Sequence, residues 1–466
     1  MSTSSHSSRR QFVQRCGMSL FGWNLWNQLH AAQAGVATAA AGDLPPVRSC
    51  IFVFYYGGPS HLDTYDMKPE APVEIRGEFS SISTTVPGLQ ICEHLPQMSQ
   101  VMHKVALVRS MHHTNRLHDS ASTETFTGRQ GPQGDREEFS PIPQHFPCHG
   151  AVLHALRSHL GCEVHHAVLP WLFHNVIDVP CQGGGFLGQA FDPFQIAGDP
   201  QQQAFNATML SRPDSLTMNR IGERRQLLEV LETPPDDHTS DGRSGFYDRA
   251  YELLGSQQLK KALQIGEEPD VIRQRYGVYE VSATGNDPAA ALAYGRNLRG
   301  QSLLQARRLV EAGIPFVNVN DFRQQGQNWD AHADNFGQHR KYLLPQADVS
   351  LSALIDDLDD RGLLESTLVV ALGEFGRTPK INGNGGRDHW PDCYTIMLAG
   401  GGVRGGSIYG ASDAQGAFPE RDPVTPADLA ATIYWRFGLD HRSTIQDTIG
   451  RPYHLSDGRP ITEIFG

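Results

Sequence analysis

The chain has 466 residues, 39% of them apolar and 19% charged, with a formal charge of −12. That is enough apolar sequence for one large or two ordinary domains, and it is unlike a disordered chain. The acidic balance argues against a nucleic-acid partner and against an anionic membrane surface, both of which require basic patches, so an anionic substrate must find its positive charge locally.

The N-terminus reads Ser7-Ser8-Arg9-Arg10-Gln11-Phe12-Val13-Gln14, followed by a weakly apolar stretch from Cys16 to Leu29 and by Ala32-Gln33-Ala34 as a cleavage site. This order resembles a twin-arginine export signal over residues 1–41, which implies a periplasmic or otherwise exported protein that uses the twin-arginine machinery and crosses the membrane folded. The remainder, 42–466, reads as a single domain with no further run of membrane-spanning length. Its six cysteines, Cys50, Cys92, Cys148, Cys162, Cys181 and Cys393, contain no CxxC pair, which excludes zinc-ribbon and thioredoxin readings.

Cys50 to Tyr56 is a continuous apolar run that stops at Gly57-Gly58-Pro59, the pattern of a strand buried on both faces. Similar runs recur at Val105 to Arg109, His166 to Pro170, Phe316 to Asn320, Thr367 to Leu372 and Tyr394 to Ala399. Helical periodicity covers Gly245 to Ile265, Ala289 to Ala312, Leu343 to Arg361 and Pro426 to Phe437. Two of these helices hand over directly to strands, in EAGIPFVNVN and LLESTLVVALG. A helix closing at Gly before a buried strand is half of a crossover unit, so the sheet is predicted to be mostly parallel with helices on both faces. The stretch 183–243 is rich in Gly, Gln, Pro and Asp and reads as a loop-rich insertion.

The chemistry lies where these strands end. Ser60, His61 and Asp63 follow the first strand, and His113, His118, Asp119 and Ser120 follow the second. Asp330 and His332 follow Phe316 to Asn320, and Glu374 and Arg377 follow Thr367 to Leu372. Arg387, Asp388 and His389 precede Tyr394 to Ala399. Carboxylates with neutral imidazoles suit Zn²⁺ or Mn²⁺, and an all-oxygen set would suit Ca²⁺ or Mg²⁺, which leaves the metal open. Arg377 and Arg387 are candidates for binding an anionic group. The plainer alternatives are an Asx turn at Asp63, an N-cap at Asp330 and a structural Arg377–Asp388 ion pair.

The series GGPSHLDTYD, HDSASTETFTGR, NWDAHADN, GEFGRTP and GRDHWP resembles the bacterial family known as domain of unknown function 1501. That family is grouped with the alkaline phosphatase and sulfatase superfamily. The resemblance implies a three-layer α/β/α sandwich and a metal-dependent cleavage of phosphate or sulfate esters. Counting back ten residues from Gly128 of Thr127-Gly128-Arg129 puts His118 where sulfatases carry their nucleophile. Gly57 stands in place of the superfamily's first-strand Asp, and Glu374-Phe375 in place of its Asp-His pair.

The expected protein is therefore an exported, metal-dependent hydrolase of an anionic small-molecule or polysaccharide ester. Asp330, His332, Glu374, His389, Asp388 and Asp63 are its candidate metal residues, and Arg377, Arg387, Ser60 and His61 its substrate-binding ones. His118 acts as acid, base or nucleophile, with Asp119 orienting its ring and Ser120 as the alternative nucleophile. The rival is a binding protein that kept the fold and lost the chemistry. An oxidoreductase is disfavoured, since the chain lacks CxxCH, a cysteine array and a GxGxxG loop.

Overall fold

The computed structural model describes residues 44–142, 144–157, 162–175, 177–199, 204–205, 220, 222–224, 226–227, 256–278, 288–321 and 329–466. The expected export segment, most of the 183–243 stretch, the first part of the Gly245 to Ile265 helix and Asn328 lie outside the described residues.

Eight strands form one sheet: β1 (Ser49–Phe54), β2 (Val105–Met111), β3 (His166–Leu169), β4 (Phe194–Gln195), β5 (Phe316–Asn320), β6 (Thr367–Leu372), β9 (Tyr394–Ala399) and β10 (Ile408–Tyr409). A two-residue pair, β7 (Gly376–Arg377) with β8 (His389–Trp390), stands apart from it. The sheet order is β10-β2-β9-β6-β1-β5-β3-β4. Only β9 runs against the rest, pairing antiparallel with β6 and β2, while the other pairings are parallel.

The apolar runs are continuous because each strand feeds two cores. Ile51, Val53, Val317, Val319, Val369 and Ala371 point to one side. There they meet helices α1 (Pro96–Val101), α4 (Pro288–Glu311) and α5 (Leu344–Asp360). Phe52, Phe54, Phe316, Leu368, Val370 and Leu372 point to the other. They meet α2 (His118–Thr127), α3 (His149–Arg157) and α6 (Pro426–Arg436). Period-2 alternation across a sheet covered on both faces gives the predicted three-layer α/β/α sandwich. Phe54 and Phe126 of α2 pack edge to face at 4.8 Å, and truncating such a buried Phe typically costs about 3–5 kcal/mol.

Three of these helices, α1, α2 and α3, escape the sequence reading. The ten residues of α2 are all buried, and most are polar, so α2 has no apolar stripe to detect. Its boundary is nonetheless marked by Gly128, whose left-handed conformation closes the helix through a bond from its N–H to the Glu124 carbonyl. The six cysteines from Cys50 to Cys393 are free thiols. Among the described residues no helix is long and apolar enough to cross a membrane.

Because the sheet is nearly parallel, β1, β2, β5 and β6 all end at one edge. The reversal of β9 brings the segment that precedes it, Arg387 to Trp390, to the same edge. Five sequence-distant loops thus meet where open α/β sheets bind ligands.

Candidate functional site

Asp330 lies at the centre of this edge. Its Oδ1 is 2.6 Å from Arg377 Nη2, 2.9 Å from His332 Nε2 and 3.1 Å from His389 Nε2. Its Oδ2 faces His118 Nε2 at 3.3 Å. Gly57 admits this approach: a Cβ there would lie 2.5 Å from the Asp330 backbone nitrogen, and its φ of +106° is open to glycine.

Each of the three imidazoles has its other nitrogen against an acceptor. His118 Nδ1 donates to Glu374 Oε1 at 2.6 Å, His389 Nδ1 to the Arg116 carbonyl at 2.7 Å and His332 Nδ1 to Asp388 Oδ1 at 2.7 Å. With the protons held on Nδ1, a neutral ring presents its Nε2 lone pair toward Asp330. His332 Nε2 and His389 Nε2 come within 3.0 Å of one another. Two lone pairs facing each other beside a carboxylate need a cation between them, either a proton or a metal. His118 Nε2 is buried and faces the same carboxylate through Asp330 Oδ2. One ligand atom from each of His118, Asp330 and His389 lies within 4.8 Å of the others, a grouping able to hold a metal ion.

The electrostatics of the site agree. Burial disfavours charge on His118, yet its hydrogen bonds to Asp330 and Glu374 outweigh burial and push it up to about 9. Burial likewise opposes ionisation of Asp330, but His118, His332, His389 and the Arg377 guanidinium hold it well below the usual carboxylate range. His332 is raised by Asp330, against burial and with help from Asp388. His389 is lowered, chiefly by burial.

The elements explain how these groups are held. The Gly57 N–H donates to both Glu374 oxygens, at 2.9 and 3.1 Å, and His113 Nε2 sits 2.6 Å from the Glu374 carbonyl. Phe375 stacks on His389, with centroids 4.6 Å apart. The N-terminus of α2, which begins at His118, is capped from a loop: Glu137 accepts from the His118 N–H at 2.7 Å, and Asp135 accepts from Leu117. Glu137, Asp135 and the Arg116 carbonyl carry no motif and were missed in the sequence; Glu137 lies in an acidic run, Asp135 to Glu138, that was the one available signal.

Other sequence-predicted site residues sit elsewhere than expected. Glu374 is wholly buried beneath His118, bonded to it and to Gly57, rather than in the group around Asp330. Glu374 also takes the ring-orienting place expected of Asp119, whose Oδ2 accepts from the Glu138 N–H at 2.8 Å. Burial and the nearby Glu137 push Asp119 up to about 7. Ser120 is turned away, donating to Asp135 Oδ1 at 2.5 Å.

Asp63 pairs with Arg387 Nε at 2.7 Å and Nη2 at 3.0 Å, and accepts from Asn335. Burial would raise Asp63, but the Arg387 guanidinium holds it low. Arg377 and Arg387 are both fully buried. Their donors go to Gly57, Gly58 and Asp330 in one case and to Asp63, Ile75, Thr378 and Pro379 in the other. They brace the loops and are closed to an anionic ligand. The considered ion pair of Arg377 with Asp388 is replaced by Arg377–Asp330 and Asp388–His332. Ser60 and His61 are buried too, with His61 Nε2 on the Gly416 carbonyl at 2.8 Å. The open side of the site is formed by His332, Asp388 and Arg116, whose side chains are 45%, 53% and 52% exposed.

Among solved structures, a sulfatase from Pseudoalteromonas sp. aligns over 91% of this chain and 71% of its own, at 14% identity and a TM-score of 0.37. A phosphonate monoester hydrolase from Silicibacter pomeroyi aligns over 90% and 76%, at 12% identity and a TM-score of 0.42. An alkaline phosphatase aligns over 91% and 100%, at 10% identity and a TM-score of 0.42. Likenesses of this degree carry no argument about the reaction. No curated relative matches the sequence. The family described as "Protein of unknown function (DUF1501)" matches residues 47–465, and the chain belongs to that family.

Proposed function

We propose that the protein is an exported hydrolase of a phosphate or sulfate ester that works with one divalent metal ion held by His118, Asp330 and His389. The observation that carries this reading is the convergence of imidazole Nε2 atoms on one carboxylate, with every Nδ1 proton engaged behind. Three protein ligands with one open side is the pattern of catalytic rather than structural sites. Two imidazoles with one carboxylate favour Zn²⁺ or Mn²⁺ over Ca²⁺ or Mg²⁺. When bound, such an ion supplies Lewis-acid polarisation of the ester and lowers the pKa of water.

The chain's own residues take the remaining roles. His332, half exposed at the mouth, moves the proton at Nε2, while Asp388 fixes its ring through Nδ1. Glu374 orients His118 and supplies negative charge behind it. The nucleophile is solvent, since Ser120 faces Asp135 and His118, the other candidate, has both ring nitrogens against carboxylates. Export rests on Arg9-Arg10 and the stretch that follows.

The buried state of Arg377 and Arg387 favours the rival reading of a non-catalytic binding protein, because it removes the expected anion clamp. The test is turnover of 4-nitrophenyl phosphate, bis(4-nitrophenyl) phosphate and 4-nitrophenyl sulfate by the Zn²⁺- and Mn²⁺-loaded chain. Metal-dependent hydrolysis of any one supports the hydrolase. Metal binding without turnover of any would favour the binding protein.

A further inference from the structure

Beside the mouth, the protein displays an aromatic shelf that the chemistry above leaves unused. Trp390 follows His389 in β8, and consecutive strand residues face opposite ways, so Trp390 leaves the metal group and meets the 413–418 loop. Its indole N–H donates to the Ala417 carbonyl at 2.6 Å, which fixes the ring. Phe418 packs edge to face on it at 5.7 Å yet remains 52% exposed. The loop that carries Phe418 is ordered: Asp413 Oδ1 accepts from the Gln415 and Ala417 N–H groups, and the Asp413 N–H donates to the Phe418 carbonyl. The half-buried Trp390 and the exposed Phe418 thus form one aromatic pair at the surface, fixed in place by the loop.

Arg116 joins this shelf to the site. Its carbonyl accepts from His389 Nδ1, and its guanidinium lies 5.7 Å from the centre of the Trp390 ring. With Arg377 and Arg387 buried, Arg116 is the half-exposed guanidinium placed at the mouth. One of its nitrogens holds Asp392 at 2.7 Å, and an arginine has further donors to offer.

We propose that Trp390, Phe418 and Arg116 form the subsite for the organic part of the substrate, and that this part is a sugar ring bearing the anionic ester. The proposal rests on the hydrolase reading. A pyranose presents an apolar C–H face to aromatic rings and hydroxyls to a polar neighbour, here Asp392, which Arg116 holds beside the shelf. The flanking guanidinium would meet the ester's charge. A lipid tail would need a continuous apolar channel, whereas the shelf is two rings bordered by charge.

The test is calorimetric titration of the Zn²⁺-loaded full chain with galactose 6-sulfate, galactose 6-phosphate, free galactose and methyl sulfate. The sugar esters should bind at least about fivefold tighter than methyl sulfate, the order expected of ring stacking. Phe418→Ala should erase that preference. Arg116→Gln, which keeps the carbonyl beside His389, should weaken the charged probes and leave free galactose unchanged. Equal binding of sugar ester and methyl sulfate, a preference that survives Phe418→Ala, or no binding of either sugar ester overturns the proposal. Metal content and aryl-ester turnover measured on the same samples separate the two claims: turnover lost with the sugar preference intact sinks the hydrolase reading alone.

Discussion

His118 Nδ1 donates to Glu374 Oε1 across 2.6 Å, and this bond turns the other face of the ring toward Asp330. Glu374 is therefore a positioning residue. Glu374→Gln keeps the shape but places an amide where both the Gly57 N–H and His118 need an acceptor. Metal affinity should fall by about 10–100-fold, the usual effect of losing such a partner, while a saturating concentration still fills the site. Affinity unchanged on calorimetric titration would remove Glu374 from the account.

His332 and His389 lie 2.9 and 3.1 Å from Asp330 Oδ1 and are assigned different work. His332→Ala should leave the metal in place and lower turnover by about 10²–10⁴-fold, the range of general acid–base catalysis. His389→Ala should lose the metal. If His332→Ala strips the metal as well, His332 is a ligand and not the proton carrier.

The pH dependence follows from His118. In the metal-free protein its value is about 9 against an ordinary 6.5. Its stabilising contribution is full below about 6.5 and disappears as the pH rises through about 9. Asp330 is depressed, so its contribution is present above the usual carboxylate range and is lost in acid. The metal-free protein should lose thermal stability between pH 6.5 and about 9. Metal binding needs neutral His118, so below that pH it should release a proton, and affinity should rise about tenfold per pH unit. Titration in two buffers of different ionisation enthalpy measures the release; none at pH 7 would contradict this assignment.

The Asp63–Arg387 pair braces the loops, and neither side chain is exposed. Breaking one side of a buried pair costs about 3–5 kcal/mol. Arg387→Met should lower the melting temperature sharply, whereas an Arg387 that bound substrate would show its effect in KM with stability intact. Denaturant unfolding and KM on the same variant separate the two.

The central strands were legible because residues such as Phe52 and Val53 are buried on opposite faces, which leaves an unbroken apolar run in the sequence. The strand-end positions of Asp330, His389 and His118 followed from those runs. What each residue does there was less legible. Glu374 differs from Asp330 only in being shielded by His118 and tied to a backbone N–H, both of which are contacts across more than 250 positions. Arg377 and Arg387 likewise read as anion binders because nothing local in GEFGRTP or GRDHWP reveals that loops from Gly57 and Asp63 would surround them. Helix α2 was invisible since its mostly polar residues are all buried, which leaves no apolar stripe in the sequence.

The most direct test of the metal centre is metal analysis of the purified full chain after exposure to Zn²⁺ or Mn²⁺ and dialysis. The account predicts about one ion per chain, and almost none in Asp330→Ala that has kept its circular dichroism spectrum. A wild-type chain that emerges metal-free, or a folded Asp330→Ala that retains the ion, would contradict it.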